Sequence, residues 1–114
     1  MYDTILSPID YGGMQLKNRI IFAPTTFGLP DEEYLAEIRR LAEGGCAMLI
    51  IGDVPVGKSK FEKSLFDAKG FAFYQQIVEI AQSVGAYVLS DEVYLPLENT
   101  ENFWSMADLY DKAV

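Results

Sequence analysis

The stretch Gly44-Gly45 followed by Cys46-Ala47-Met48-Leu49-Ile50-Ile51 constrains this chain more than any other. An uninterrupted apolar run leaves no polar face for water. That is the pattern of a strand buried on both sides, as in a parallel sheet. The glycine pair before it supplies a left-handed helix stop. Ahead of the glycines, Tyr34, Ile38, Leu41 and Ala42 recur at helical spacing, and Leu35 widens their face. A helix over 31–43 therefore feeds a buried strand that ends at Gly52-Asp53. Asp31 is placed to cap this helix, and Glu32 and Glu33 put negative charge in its first turn.

The same unit occurs on either side. Ile20 to Ala23 is a short apolar run, read as an opening buried strand over 19–23. Pro24 has no N–H to give to a ladder, so that strand stops there. Thr25 and Thr26 then sit where strand becomes loop. Further on, Phe73, Ile77, Ile80, Ala81 and Val84 form one stripe of a helix over 70–84, with Tyr74 and Val78 beside it. Gly85 ends this helix, and Tyr87-Val88-Leu89-Ser90 reads as a third strand with Asp91-Glu92-Val93-Tyr94 at its end.

Strand, helix, strand, helix, strand dictates a parallel sheet with right-handed crossovers. Strand starts fall roughly 27 and 40 residues apart, near the rhythm of a barrel that needs about 250 residues. The 114 residues make a single domain, 1–114, and cannot close such a barrel. The expected fold class is α/β: a parallel βαβαβ unit resembling the first three strands of a (β/α)₈ TIM barrel, incomplete. Two strand edges are expected to lack partners.

The flanks carry weaker signals. Residues 1–16 read as a cover hairpin, with Tyr11-Gly12-Gly13-Met14 turning between Ile5-Leu6 and Gln15-Leu16. Ser105-Met106-Ala107-Asp108 resembles a capping box. Met106, Leu109, Tyr110 and Ala113 then make one face of a short helix running into the C-terminus. Such a face suggests a chain cut short or a tail that docks on something.

Composition excludes several functions. The formal net charge of −8, with no basic cluster to offset it, argues against nucleic acid and anionic membranes as partners. One cysteine and no histidine exclude an internal disulfide and the usual Cys/His zinc site, and remove the commonest general base. The lone thiol, with no secretory signal and no apolar run of about 18–20 residues, leads to an expected cytoplasmic location.

Pro8-Ile9, Gly12-Gly13, Leu16-Lys17-Asn18-Arg19-Ile20-Ile21 and Ala23-Pro24 resemble the start of the old yellow enzyme family of NADH:flavin oxidoreductases, which includes 2,4-dienoyl-CoA and enoate reductases. Tyr34, Arg40-Leu41-Ala42-Glu43-Gly44-Gly45, Leu49-Ile50-Ile51 and Gly85-Ala86 continue the resemblance, which covers 1 to about 95. It implies FMN across the C-terminal mouth of a barrel. Ala23, Pro24 and Thr25 match the segment that touches the flavin ring. Thr26 matches a hydroxyl or thiol that tunes the ring. Val54 matches a backbone approach to the cofactor, with Asp53 as its acidic neighbour.

At the third strand the chain departs from the pattern. Asp91 and Tyr94 stand where the family has Gln and His, and an ionised Asp91 cannot donate to the flavin. None of these residues is assigned a catalytic role. NAD(P)H and a small-molecule acceptor are implied as partners in a full-length parent only, and the chain alone is expected to be inactive.

Blander readings remain open beside these. Thr25 and Thr26 can simply satisfy backbone groups in a turn. The start of the 53–57 loop can be an ordinary loop. Asp91 and Glu92, as neighbours along a strand, point to opposite faces and make a poor acid/base pair. For the whole chain, the N-terminal part of an oxidoreductase stands against two alternatives. One is a degenerate, non-catalytic relative that self-associates or binds other chains. The other is an unrelated small α/β binding domain.

Overall fold

The computed structural model describes residues 1–25, 28–55, 63–65, 67–92 and 105–114. In chain order the elements are α1 (Asp3–Leu6), β1 (Ile9–Tyr11), β2 (Met14–Leu16), β3 (Ile21–Phe22), α2 (Asp31–Glu43), β4 (Met48–Ile51), α3 (Ala68–Val84), β5 (Tyr87–Ser90) and a 3₁₀ turn (Met106–Asp108).

The sheet runs β3-β4-β5, with both pairs parallel. Met48 pairs with Ile21 on one side and Tyr87 on the other. Alternation along the strands divides the sheet into two faces. Leu49, Ile51 and Val88 belong to the main core with Ile38 and Ala42 of α2 and Phe73, Ile77 and Ala81 of α3. Ile38, Leu49 and Ile77 are fully buried, each stabilising the fold by about 1.5–3 kcal/mol. Met48, Ile50, Tyr87 and Leu89 lie on the other face, where Leu16, Ile9 and Met14 of the β1–β2 hairpin cover part of it. The expected α/β class and βαβαβ order are both present.

Helix α2 has the expected bounds, and α3 starts two residues before the expected 70. Gly45 at φ 109° and Gly85 at φ 67° take the left-handed positions that end the two helices. Asp31, however, is not the cap. Pro30 holds that place with φ −56°, no side chain caps the helix, and Asp31 is the first helical residue, ion-paired to Lys63.

The opening strand is shorter and less buried than expected. Only Ile21–Phe22 is paired as strand, and Ile20 and Ile21 are 36% and 46% exposed. β3 lies at the end of the strand order, so one of its sides has no neighbouring strand among the described residues. Asn18 anchors its entry: Nδ2 donates to the Gly45 carbonyl at 2.7 Å, and Oδ1 accepts from the Ile20 N–H at 2.9 Å.

The N-terminal hairpin is real, but its first arm is Ile9–Tyr11. Ile5-Leu6 lies in α1 instead. Pro8 disfavours helical geometry at Ser7, which is extended at ψ 145°, so the helix stops and the strand begins after it.

The C-terminal segment also differs from the expected helix. The capping box of Ser105 and Asp108 is present, but it opens a single 3₁₀ turn. The chain then lies parallel beside β5. Val88 N–H donates to the Lys112 carbonyl at 3.0 Å, and Ser90 N–H to the Val114 carbonyl at 2.8 Å. Edge N–H groups need acceptors, and these residues supply them. The expected free edge at β5 is therefore covered. Met106 is fully buried, and the Tyr110 hydroxyl donates to the Ala86 carbonyl at 3.1 Å. The apolar face docks on the chain's own core.

Candidate functional site

The carboxyl ends of the parallel strands gather most of the residues singled out from sequence. Pro24 follows β3 and packs against Gly52 after β4, where an added Cβ would lie 3.0 Å from the Pro24 Cβ. Val54 donates its backbone N–H to the Asp91 carbonyl at 3.0 Å, and Asp91 N–H donates to the Ile51 carbonyl at 2.9 Å. Ala23, Pro24, Thr25 and Asp91 are exposed, whereas the Val54 side chain is 3% exposed and belongs to the core. The Thr25 hydroxyl donates to the Ala23 carbonyl at 3.4 Å, which is the turn-satisfying contact. Thr26 and Tyr94 lie outside the described residues.

The two adjacent carboxylates do different jobs. Asp91 is exposed. Glu92 Oε1 accepts from the Ser90 hydroxyl at 3.0 Å, the Ser105 hydroxyl at 3.1 Å and the Met106 N–H at 2.9 Å. Glu92 thus pins the C-terminal segment to the end of β5. Sequence reasoning missed this role because Ser105 and Met106 lie 13 and 14 residues away along the chain.

A flavin mononucleotide needs a flat apolar seat for its ring and donors or cations for its phosphate. Half-buried Ile50 and Leu89 sit on the hairpin side of the sheet and are of the apolar type that the first need calls for. The second is not met by the residues singled out here: Ala23, Pro24, Thr25, Val54 and Asp91 include no cation, and Asp91 brings an acceptor. These residues fit one edge of the cofactor and do not fit the whole of it. Among the described residues no cluster of three or more His, Cys, Asp or Glu could hold a metal ion. No described helix is long and apolar enough to cross a membrane.

On the helix-covered side of the sheet there is a second feature, a cavity of about 510 Å³. It opens between the start of α2 and the start of α3, beside the end of β4. Leu29, Asp31, Tyr34, Asp53, Lys69 and Phe73 are among its lining residues. Lys63, also in the lining, is ion-paired to Asp31 and lies 4.3 Å over the Phe73 ring. Tyr34 and Phe73 are 5.6 Å apart between ring centroids, and burial pushes the Tyr34 hydroxyl pKa up. Asp53 takes the left-handed conformation at φ 51°, unusual for any residue but glycine and best tolerated by Asn and Asp. Periodicity places Tyr34 and Phe73 on core faces but gives no sign that the two helices leave a gap there.

No protein-family model matches the chain. Over 87 residues it is 53% identical to a bilirubin reductase of Clostridium symbiosum, a match that covers 75% of this chain and 23% of that protein. A bilirubin reductase of Mediterraneibacter gnavus is 28% identical over 115 residues, covering 95% of this chain and 17% of the other. The chain thus spans less than a quarter of the length of these curated relatives.

Solved structures with the same fold include an old yellow enzyme from Pichia, with TM-score 0.61 and 22% identity over 76% of this chain and 25% of that one. Another is a 2-naphthoyl-CoA reductase complex, with TM-score 0.64 and 18% identity over 81% of this chain and 16% of that one. These neighbours are TIM-barrel enzymes, of which the chain matches only a fraction. The incomplete-barrel reading of the fold therefore holds.

Proposed function

From the premise that the chain resembles the N-terminal part of the old yellow enzyme family, we propose that it supplies one side of an FMN site in an NAD(P)H oxidoreductase barrel and is inactive by itself. The observation that carries this reading is the row Pro24–Gly52 and Val54–Asp91, tied together at the carboxyl end of the sheet. In such a barrel the Ala23–Thr25 backbone and the Thr26 hydroxyl meet the ring. Bound FMN would supply hydride transfer between NAD(P)H and an unsaturated acceptor. Enoates and dienoyl-CoA esters are acceptors that the family resemblance implies. Bilirubin, named in both curated relatives, is the first acceptor to test.

The test is a hybrid in which residues 1–92 replace the matching segment of the Clostridium symbiosum bilirubin reductase. A folded hybrid is expected to hold FMN more weakly than the parent, with Asp91→Gln restoring retention, and to oxidise NAD(P)H in the presence of bilirubin. A folded hybrid that binds no FMN with or without Asp91→Gln overturns the reading.

The alternative, a non-catalytic module that pairs with other chains, is carried by Ile20 and Ile21, exposed beside the β3 edge. Light scattering discriminates: a clean monomer at micromolar concentration removes it.

A further inference from the structure

The cavity between α2 and α3 opens on the helix-covered side of the sheet, beside the end of β4. Its described lining carries charges of both signs. Asp31 and Lys63 neutralise each other. Asp53 and Lys69 are both exposed and make no hydrogen bond or ion pair among the described residues. Among the described residues, one unpaired anion and one unpaired cation therefore border a space with apolar walls at Leu29, Tyr34 and Phe73.

Its volume of about 510 Å³ falls within the roughly 300–1,000 Å³ of small-molecule sites. Those sites combine apolar and aromatic walls with a few polar groups. Asp53 is further held in a left-handed backbone conformation, a feature that concentrates at binding sites.

From this arrangement we infer that the cavity binds a small aromatic zwitterion, an aromatic amino acid in chemical class. The ring packs against Leu29 and the Tyr34–Phe73 pair, the ammonium faces Asp53 and the carboxylate faces Lys69. A simple anion leaves Asp53 opposed to it, and a simple cation leaves Lys69 opposed to it. Only a ligand with both charges satisfies both residues.

The test is an amide-resolved NMR titration of the full chain with L-phenylalanine, with hydrocinnamate (no ammonium) and with phenethylamine (no carboxylate). L-phenylalanine is expected to shift the amides of Asp53, Lys69 and Phe73 and to bind more tightly than either analogue. Lys69→Gln weakens it by about threefold, the scale of an exposed ion pair, and removes its advantage over phenethylamine. Asp53→Asn keeps a residue suited to the left-handed backbone and removes the advantage over hydrocinnamate. Tighter binding of either analogue, absence of shifts at these amides, or indifference to both substitutions overturns the inference.

Discussion

The backbone N–H of Val54 reaches the carbonyl of Asp91 at 3.0 Å, so the loop after β4 is fastened to the end of β5 by main chain alone. The Asp91 carboxylate takes no part in that bond and is exposed. Asp91→Gln is therefore expected to leave stability within about 0.5 kcal/mol of the parent chain. Urea unfolding checks this. A larger loss would show that the carboxylate itself holds the end of the strand.

Glu92 is the opposite case. Its Oε1 accepts from Ser90, Ser105 and Met106. Hydrogen bonds to a charged acceptor are worth more than neutral ones, so Glu92→Ala is expected to cost about 2 kcal/mol. Glu92→Gln keeps an acceptor oxygen and should cost less than half of that. Hydrogen exchange localises the effect: the amides of Met106 and Val114 should lose protection first, while those of α2 keep theirs. Uniform loss of protection would contradict this.

How much of this was legible in the sequence depends on the range of the interactions. The runs at Met48–Ile51 and Tyr87–Ser90 and the stops at Gly45 and Gly85 are local signals, and they placed the βαβαβ order and the bounds of α2. Ala23, Pro24 and Thr25 were found at the carboxyl end of the sheet because proline ends a strand wherever it falls. The tail differs from the expected helix because Met106, Leu109, Tyr110 and Ala113 mimic a helical face, while the pairing of residues 112–114 with β5 depends on an edge that only the folded sheet presents. Ile5-Leu6 lies in α1 and not in the hairpin, a difference the sequence does not signal because a short apolar pair carries no period. The cavity was invisible because Asp53, Lys69 and Tyr34 meet only in three dimensions.

Gly70 is a close-approach position. A Cβ there would lie 2.1 Å from the Ser64 carbonyl oxygen and 2.7 Å from the Ser64 nitrogen, both backbone atoms with little freedom to move. Gly70→Ala is expected to destabilise by about 3 kcal/mol through this overlap. Gly85→Ala meets open space and bears only the cost of its left-handed backbone, about 1 kcal/mol. Thermal unfolding of the two variants should separate them clearly. Equal losses would count against the packing of residues 63–65 on α3.

Cys46 is buried, and burial pushes its thiol pKa up, opposed in part by the charge of Lys17. The thiolate is the reactive form, so the native thiol should react slowly with an aromatic disulfide reagent at mildly alkaline pH and rapidly once the chain is unfolded. The sign for stability follows from the raised pKa. Burial of the neutral thiol stabilises fully below the ordinary thiol range, and this contribution is lost as pH climbs through the higher folded value. Cys46→Ala should therefore flatten the alkaline side of the stability profile. A native thiol that reacts as fast as the unfolded one would contradict this.

The most direct measurement is a titration of the purified chain with FMN, followed by flavin fluorescence and by the absorbance retained after gel filtration. Ala23, Pro24, Thr25, Val54 and Asp91 meet one edge of the ring in this reading, include no cation for the phosphate, and bring an acidic Asp91. The expected result is a colourless chain that retains no stoichiometric FMN and oxidises no NAD(P)H. A yellow one-to-one complex that survives gel filtration would contradict the account.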